Sequence, residues 1–201
     1  MRFGAIVFLI ATLTCACVSP SSSARHDEWS SLVSMLADQQ KALHEKDPLY
    51  DLPGTPRPTT RNDIRVKERQ WGHYLDADHR ELLQVSDGLH AFCGFEDLFS
   101  LAESAPGSKN WEGMKAYIEG ASLGPEYFGA HSFDQLRPVF GDPDYYGVTV
   151  TVSHSYFSDE PGVVYELAGD GPNGIGTYPT LMDAVRACAE RHAKELRNVA
   201  T

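Results

Sequence analysis

Two cysteine–histidine pairs are the residues of this chain best suited to chemistry: His90-x-x-Cys93 and Cys188-x-x-x-His192. Either spacing suits a thiophilic metal, and the second sets both side chains at i and i+4 on one helix face. The pairs lie far apart in sequence, so a joint site requires the fold to bring them together. Cys93 and Cys188 are also the two cysteines that keep a thiol once the N-terminal signal described below is removed and the cysteine after it lipidated. An even number in an oxidising compartment permits one disulfide; the alternative is two buried free thiols. If the two meet, a disulfide is the simpler outcome, so the expectation is no metal and no cofactor.

Other motifs carry less. Gly169-Asp170-Gly171-Pro172-Asn173-Gly174 matches G-x-G-x-x-G and follows an expected strand. A dinucleotide site needs a helix opening directly after the glycines and a complete βαβ unit. Pro172 disturbs the loop and too little chain remains, so the segment reads as a turn. Asp76 and Asp78 form a carboxylate pair of the kind glycoside hydrolysis uses. Their place just before an expected helix makes them caps, and nothing in the sequence marks either as buried. There is no G-x-S-x-G, H-E-x-x-H or P-loop, and the remaining histidines, His131 and His154 among them, read as surface or loop residues. No nucleophile, base and orienter can be named together, so the expectation is a protein without catalytic residues.

The N-terminus places the chain in a cell. Arg2 precedes an apolar run from Phe3 to Leu13, followed by Thr14-Cys15-Ala16-Cys17. A basic start, a short apolar stretch and a small residue before a cut make a secretory signal, and the run is too short to span a bilayer. The segment resembles a bacterial lipoprotein signal, in which cleavage leaves a lipid-modified cysteine. Cys17, after Ala16, is the expected lipidation (palmitate) site. Val18 stands where an aspartate would favour inner-membrane retention, so the outer membrane is expected. The anticipated organisation is a signal over 1–16, a lipidated cysteine and flexible tether over 17–26, and one domain over 27–201, facing the periplasm.

Net charge is −11, with 17 basic and 28 acidic residues, and processing removes one more base and no acid. Such a surface argues against nucleic acid and favours a basic partner.

Hydrophobic periodicity supplies the elements. Glu28 to Glu45 carries Trp29, Leu32, Val33, Leu36 and Leu43 on one helical face. After a proline-rich linker, Thr60-Arg61-Asn62-Asp63 opens a second helix that Gly72 ends. Leu75-Asp76-Ala77-Asp78 caps a third with Leu82, Leu83 and Val85, and a short helix is expected over Trp111 to Glu119. Strands are expected over Asp97 to Ala102, Leu136 to Phe140, Gly147 to Ser153 and Val163 to Leu167, the last two antiparallel. Thr180 caps a closing helix whose apolar face is Leu181, Ala184, Val185, Cys188 and His192. The pattern predicts an α+β domain, with a small, mostly antiparallel sheet packed against helices and covered on one side.

The order of these residues resembles the SUKH superfamily. The match runs through Thr59-Thr60-Arg61-Asn62-Asp63-Ile64, Glu68, Trp71-Gly72, Leu75, His79-Arg80-Glu81-Leu82-Leu83 and Ser86-Asp87-Gly88-Leu89. It continues with Leu136-Arg137-Pro138-Val139, Asp142-Pro143-Asp144, Gly162-Val163-Val164-Tyr165 and Tyr178-Pro179-Thr180-Leu181. Trp71, Asp76 and His79 stand where that pattern prefers leucine, proline and tyrosine. The resemblance implies a SUKH-like fold and an immunity protein that neutralises a cognate toxin by contact, here one acting on the cell envelope. The alternative is an envelope-maintenance binding lipoprotein without a toxin. Glu68 and Asp87-Gly88 then read as fold residues: a carboxylate accepting from a neighbouring loop, and a tight reversal with Gly88 at positive φ. A basic toxin cleft would suit clusters of acids and aromatics. Two loops provide them: Asp142, Asp144, Tyr145 and Tyr146, and Tyr156, Phe157, Asp159 and Glu160. They flank one strand at opposite ends.

Overall fold

The computed structural model describes residues 22–142, 147–168 and 174–198. Chain order is α1 (Ser22–Lys46), α2 (Arg61–Trp71), α3 (Ala77–Val85), β1 (Leu89–Cys93), β2 (Glu96–Leu98), α4 (Lys109–Gly120), β3 (Leu136–Asp142), β4 (Gly147–Val152), β5 (Val164–Ala168), β6 (Ile175–Tyr178) and α5 (Leu181–Asn198). Two short 3-10 turns lie between α4 and β3. The strands form one antiparallel meander in which spatial order equals chain order. The fold is α+β, as the periodicity implies.

The helix boundaries follow local signals. Thr60 Oγ1 accepts from Asp63 N at the start of α2, and Gly72, at φ 71°, ends it. Asp76 accepts from the first backbone N–H groups of α3 through Oδ1. Thr180 Oγ1 accepts from Asp183 N at the start of α5. Gly88 turns the chain at φ 87°, while Asp87 Oδ1 takes the Leu101 N–H at 2.5 Å.

Helices cover the sheet on both faces, not one. Trp29, Leu32, Val33 and Leu36 of α1 pack with Leu181, Val185 and Cys188 of α5 against Phe92, Leu98, Val139 and Val164. A second core joins Trp111, Met114 and Ile118 of α4 to Leu136, Val150 and Leu167. The alternation in β4 is real, but Thr149 and Thr151, opposite its valines, are buried too. Threonine in a strand lines an interior face as readily as a solvent face when a helix lies above it.

Two strands escape periodicity. β1 holds Ala91 at φ 51°, and its register with β2 is irregular, so no alternation is visible. β6 is four residues long and contains a glycine. The strand expected at Asp97 to Ala102 lies earlier, at Glu96–Leu98. The segment read as tether, 17–26, overlaps α1, and within it Arg25 already bonds to the domain.

Candidate functional site

Three buried carboxylates and one buried arginine meet where α2, α3 and the loop after β4 come together. Glu68, Asp76, Asp78 and Arg80 are all buried. Glu68, on the last turn of α2, accepts the Leu75 N–H at 2.9 Å, as its fold-residue reading requires. Asp76 Oδ2 accepts the Gly162 N–H at 2.6 Å while its Oδ1 caps α3, so one side chain fixes a helix start and a loop end. Asp78 reaches across to α5 and accepts the Met182 N–H at 3.2 Å, a favourable place for a carboxylate at a helix N-terminus. Both aspartates cap helices, as expected, and they do so from the interior, a burial that nothing in the sequence marks.

Arg80 distributes its guanidinium over four partners. It donates to Leu75 O at 3.1 Å and to Ser158 O, and pairs with Glu68 at 3.7 Å and Asp159 at 3.8 Å. It also lies under the Phe157 ring. Arg25 of α1 adds a bond to Asp159 O at 2.9 Å and a contact to Asp78 at 3.9 Å. The loop from Tyr156 to Gly162 is thus clamped to the scaffold at Ser158, Asp159 and Gly162.

Burial raises the pKa of Glu68 and Asp76 against the pull of backbone N–H donors and Arg80. Asp78 is pushed up to about 6, first by burial and then by the neighbouring Asp76 charge. These oxygens are occupied by backbone N–H groups, those of Leu75 and Gly162 in loops and those of Asp78, His79 and Met182 in helices. The adjacent cavity, of about 370 Å³, is lined by Ala77 and Arg80 rather than by Asp76 or Asp78. The pair is a structural brace.

What this brace presents outward is a loop rich in aromatics and acids. Tyr156 and Phe157 are 63% and 54% exposed, and Asp159 and Glu160 are exposed. Tyr74 meets Phe157 edge-on at 5.8 Å, Tyr156 stacks with His154 at 5.4 Å, and Tyr74 and His154 exchange backbone bonds. Val163, 50% exposed, follows on the same segment. Sequence reading missed the parts that hold this surface, Arg80, Arg25, Asp76 and Tyr74. An arginine one helical turn from two aspartate caps was the available signal, but its partners are set by tertiary contacts.

The second candidate loop fares differently. Asp144, Tyr145 and Tyr146 lie outside the described residues, as does Cys17. Asp142 is half-buried at the end of β3, beside a separate cavity of about 220 Å³. It pairs with Gly147 at the start of β4, whereas Tyr156 follows the far end. Six strand residues at about 3.3 Å each put them roughly 20 Å apart along the strand. Asp142 and the Tyr156 loop belong to different ends of the sheet.

Cys93 and Cys188 form a disulfide between β1 and α5, with Cα atoms 6.1 Å apart. His192 lies beside it, whereas His90 is exposed and paired with Asp97 at 2.8 Å and Asp51 at 3.4 Å. His79, which stands where the SUKH pattern prefers tyrosine, is fully buried. Its Nδ1 meets Thr151 Oγ1 at 3.3 Å, and burial next to Arg137 lowers its pKa to about 3. The turn expected at Gly169–Gly174 lies, over 169–173, outside the described residues, but β5 precedes it and β6, not a helix, follows. Among the described residues no helix is long and apolar enough to cross a membrane.

No protein-family model matches this chain, and no curated protein matches its sequence.

Proposed function

We propose that this protein is a SUKH-type immunity protein, lipid-anchored through Cys17 in the periplasm, that neutralises a cognate envelope-acting toxin by contact. The observation that carries the reading is the clamped loop. Tyr156 and Phe157 are large exposed aromatics on a backbone held by Arg80, Arg25 and Asp76, so little order has to be gained on binding. Rigid aromatics flanked by acids are the residues that anchor an interface and attract a basic cleft. The net charge of −11 points the same way. Asp159, within 3.8 Å of Arg80, and Glu160 are the exposed acids of the loop.

The test is contact competition. A strain deleted for this protein is mixed with its parent on a surface and survivors are counted. Complementation uses the full chain, a version lacking residues 1–17, and a full chain carrying Phe157→Ala with Asp159→Lys. Selective killing rescued by the full chain alone is the expected result. Equal survival of the mutant, where the parent demonstrably kills other cells, counts against immunity and favours envelope maintenance. Rescue by the double variant, with the deletion strain killed, removes the loop from the interface.

A further inference from the structure

His192 is the least explained buried group near the disulfide. It is 2% exposed, and neither ring nitrogen has a hydrogen-bond partner. A buried imidazole in that state forfeits its hydrogen bonds to water without replacement, and a leucine would fill the same apolar helix face without that loss. One turn earlier on the helix is Cys188, and across from it is Cys93. The two sulfurs and a ring nitrogen all lie within 4.8 Å of one another. Arg191 donates toward Cys93 Sγ at 3.8 Å, which favours a thiolate there once the S–S bond is open. Burial, with Arg191 adding to it, lowers the imidazole pKa to about 4, so the ring is neutral and its lone pair free near neutral pH.

We propose that Cys93, Cys188 and His192 form a redox-gated zinc site: oxidised, the sulfurs bind each other; reduced, they bind the metal together with the imidazole. Two thiolates and a histidine are a soft, three-ligand zinc set, with Cys188 and His192 at the i, i+4 spacing of helical metal pairs. A tetrahedral zinc with bonds of about 2.0–2.3 Å keeps its donors roughly 3.3–3.8 Å apart. The ring nitrogen lies within 4.8 Å of both sulfurs, so side-chain rotation after the S–S bond breaks has to bring the three donors to that spacing. Cys93 and His192 line the cavity of about 220 Å³, together with Glu96, Asp142 and Glu195. In the reduction, a dithiol gives two electrons and two protons to the S–S bond and becomes a disulfide itself. Zinc then displaces the two thiol protons to solvent and takes the imidazole lone pair.

The purified chain, with Cys15 and Cys17 replaced by serine so that Cys93 and Cys188 supply its only thiols, is titrated with zinc alone, and in parallel with cobalt as an absorbing substitute, in oxidised form and after a phosphine reductant. The phosphine takes oxygen from water, becomes phosphine oxide and leaves no competing thiol. One equivalent bound by the reduced chain and none by the oxidised chain is expected, with thiolate-to-cobalt absorption. Reduced His192→Asn binds at least about a hundredfold more weakly, since losing a ligand exceeds the loss typical of an outer-shell partner. His90→Ala binds as wild type. Far-UV circular dichroism accompanies each titration. If reduction alone unfolds the chain, zinc restores the native signal in wild type and not in His192→Asn. No binding by the folded reduced chain, equal affinity in His192→Asn, loss in His90→Ala, or no zinc-dependent refolding overturns the site.

Discussion

The guanidinium carbon of Arg80 lies 4.2 Å from the centre of the Phe157 ring, so a residue that is 8% exposed supports one that is 54% exposed. The support is ionic as well as dispersive, because the same guanidinium answers the buried Glu68 carboxylate. Removing it strands that charge. Arg80→Ala is expected to destabilise the protein by about 3–5 kcal/mol, the usual effect of breaking a buried pair from one side. Arg80→Lys recovers part of this, since a point charge cannot serve Leu75 O, Ser158 O and the ring at once. Urea denaturation of both variants checks the order; a loss under about 1 kcal/mol for the alanine variant contradicts the clamp.

Phe157 itself faces solvent, and its truncation isolates surface from scaffold. Phe157→Ala is expected to change stability by no more than about 1 kcal/mol. On the proposed function it should abolish or sharply reduce protection in the competition assay. A large stability loss instead would mean that the ring belongs to the core.

The pH dependence of Asp78 has a definite sign. Its pKa in the folded chain, about 6, lies above the ordinary 3.8, so the native state retains a proton that the unfolded chain releases between those values. The stability it contributes is greatest below about pH 4 and is lost as pH rises through 6. His79 and His192 act oppositely: their lowered values of about 3 and about 4 mean stability is gained as pH rises toward 6.5. The wild-type curve mixes these trends, but its difference from Asp78→Asn isolates the carboxylate. That difference should move against wild type by on the order of 2 kcal/mol between pH 4 and 7.5. A flat difference would show that Asp78 ionises normally.

Much of this architecture is written in short-range patterns, and the exceptions have a common cause. The α1 face of Trp29, Leu32, Val33, Leu36 and Leu43 and the α5 face of Leu181, Ala184, Val185, Cys188 and His192 are buried as their spacing demands. Both were legible because an amphipathic stripe repeats within the element itself. The brace was not legible, because Arg80 draws its partners from three segments: α2, the turn before α3 and the loop after β4. Nor was the burial of Asp76 and Asp78, since a capping aspartate looks the same in sequence whether solvent or another helix lies beyond it. β1 was hidden by the left-handed Ala91, which breaks the period of two. Of the surface loops, Tyr156, Phe157, Asp159 and Glu160 were identifiable from composition, and so was their separation from Asp142, since the two loops flank one strand; the strand register agrees.

Ser122 offers an independent check on the α4 exit. It is exposed and sits at φ 58° just after the helix, where Leu123 N returns to Ile118 O at 3.0 Å. That left-handed position favours glycine. Ser122→Gly should stabilise the protein by about 0.5–1 kcal/mol, read as a higher urea midpoint at unchanged slope. A lower midpoint would refute the assignment.

The disulfide closes a sequence separation of 95 residues. Replacing both cysteines by serine, measured with a chelator present, should cost about 2–5 kcal/mol. No change would place its value elsewhere than in folding.

That same bond ties the first strand of the meander to the helix that ends the chain, enclosing β2 through β6 between its two ends. A single backbone cut anywhere between Gly94 and Ala187 therefore yields two fragments that remain one molecule. In a compartment where proteases meet exposed turns, a nicked copy keeps both of its cores linked and comes apart on a gel only when its sulfurs are reduced.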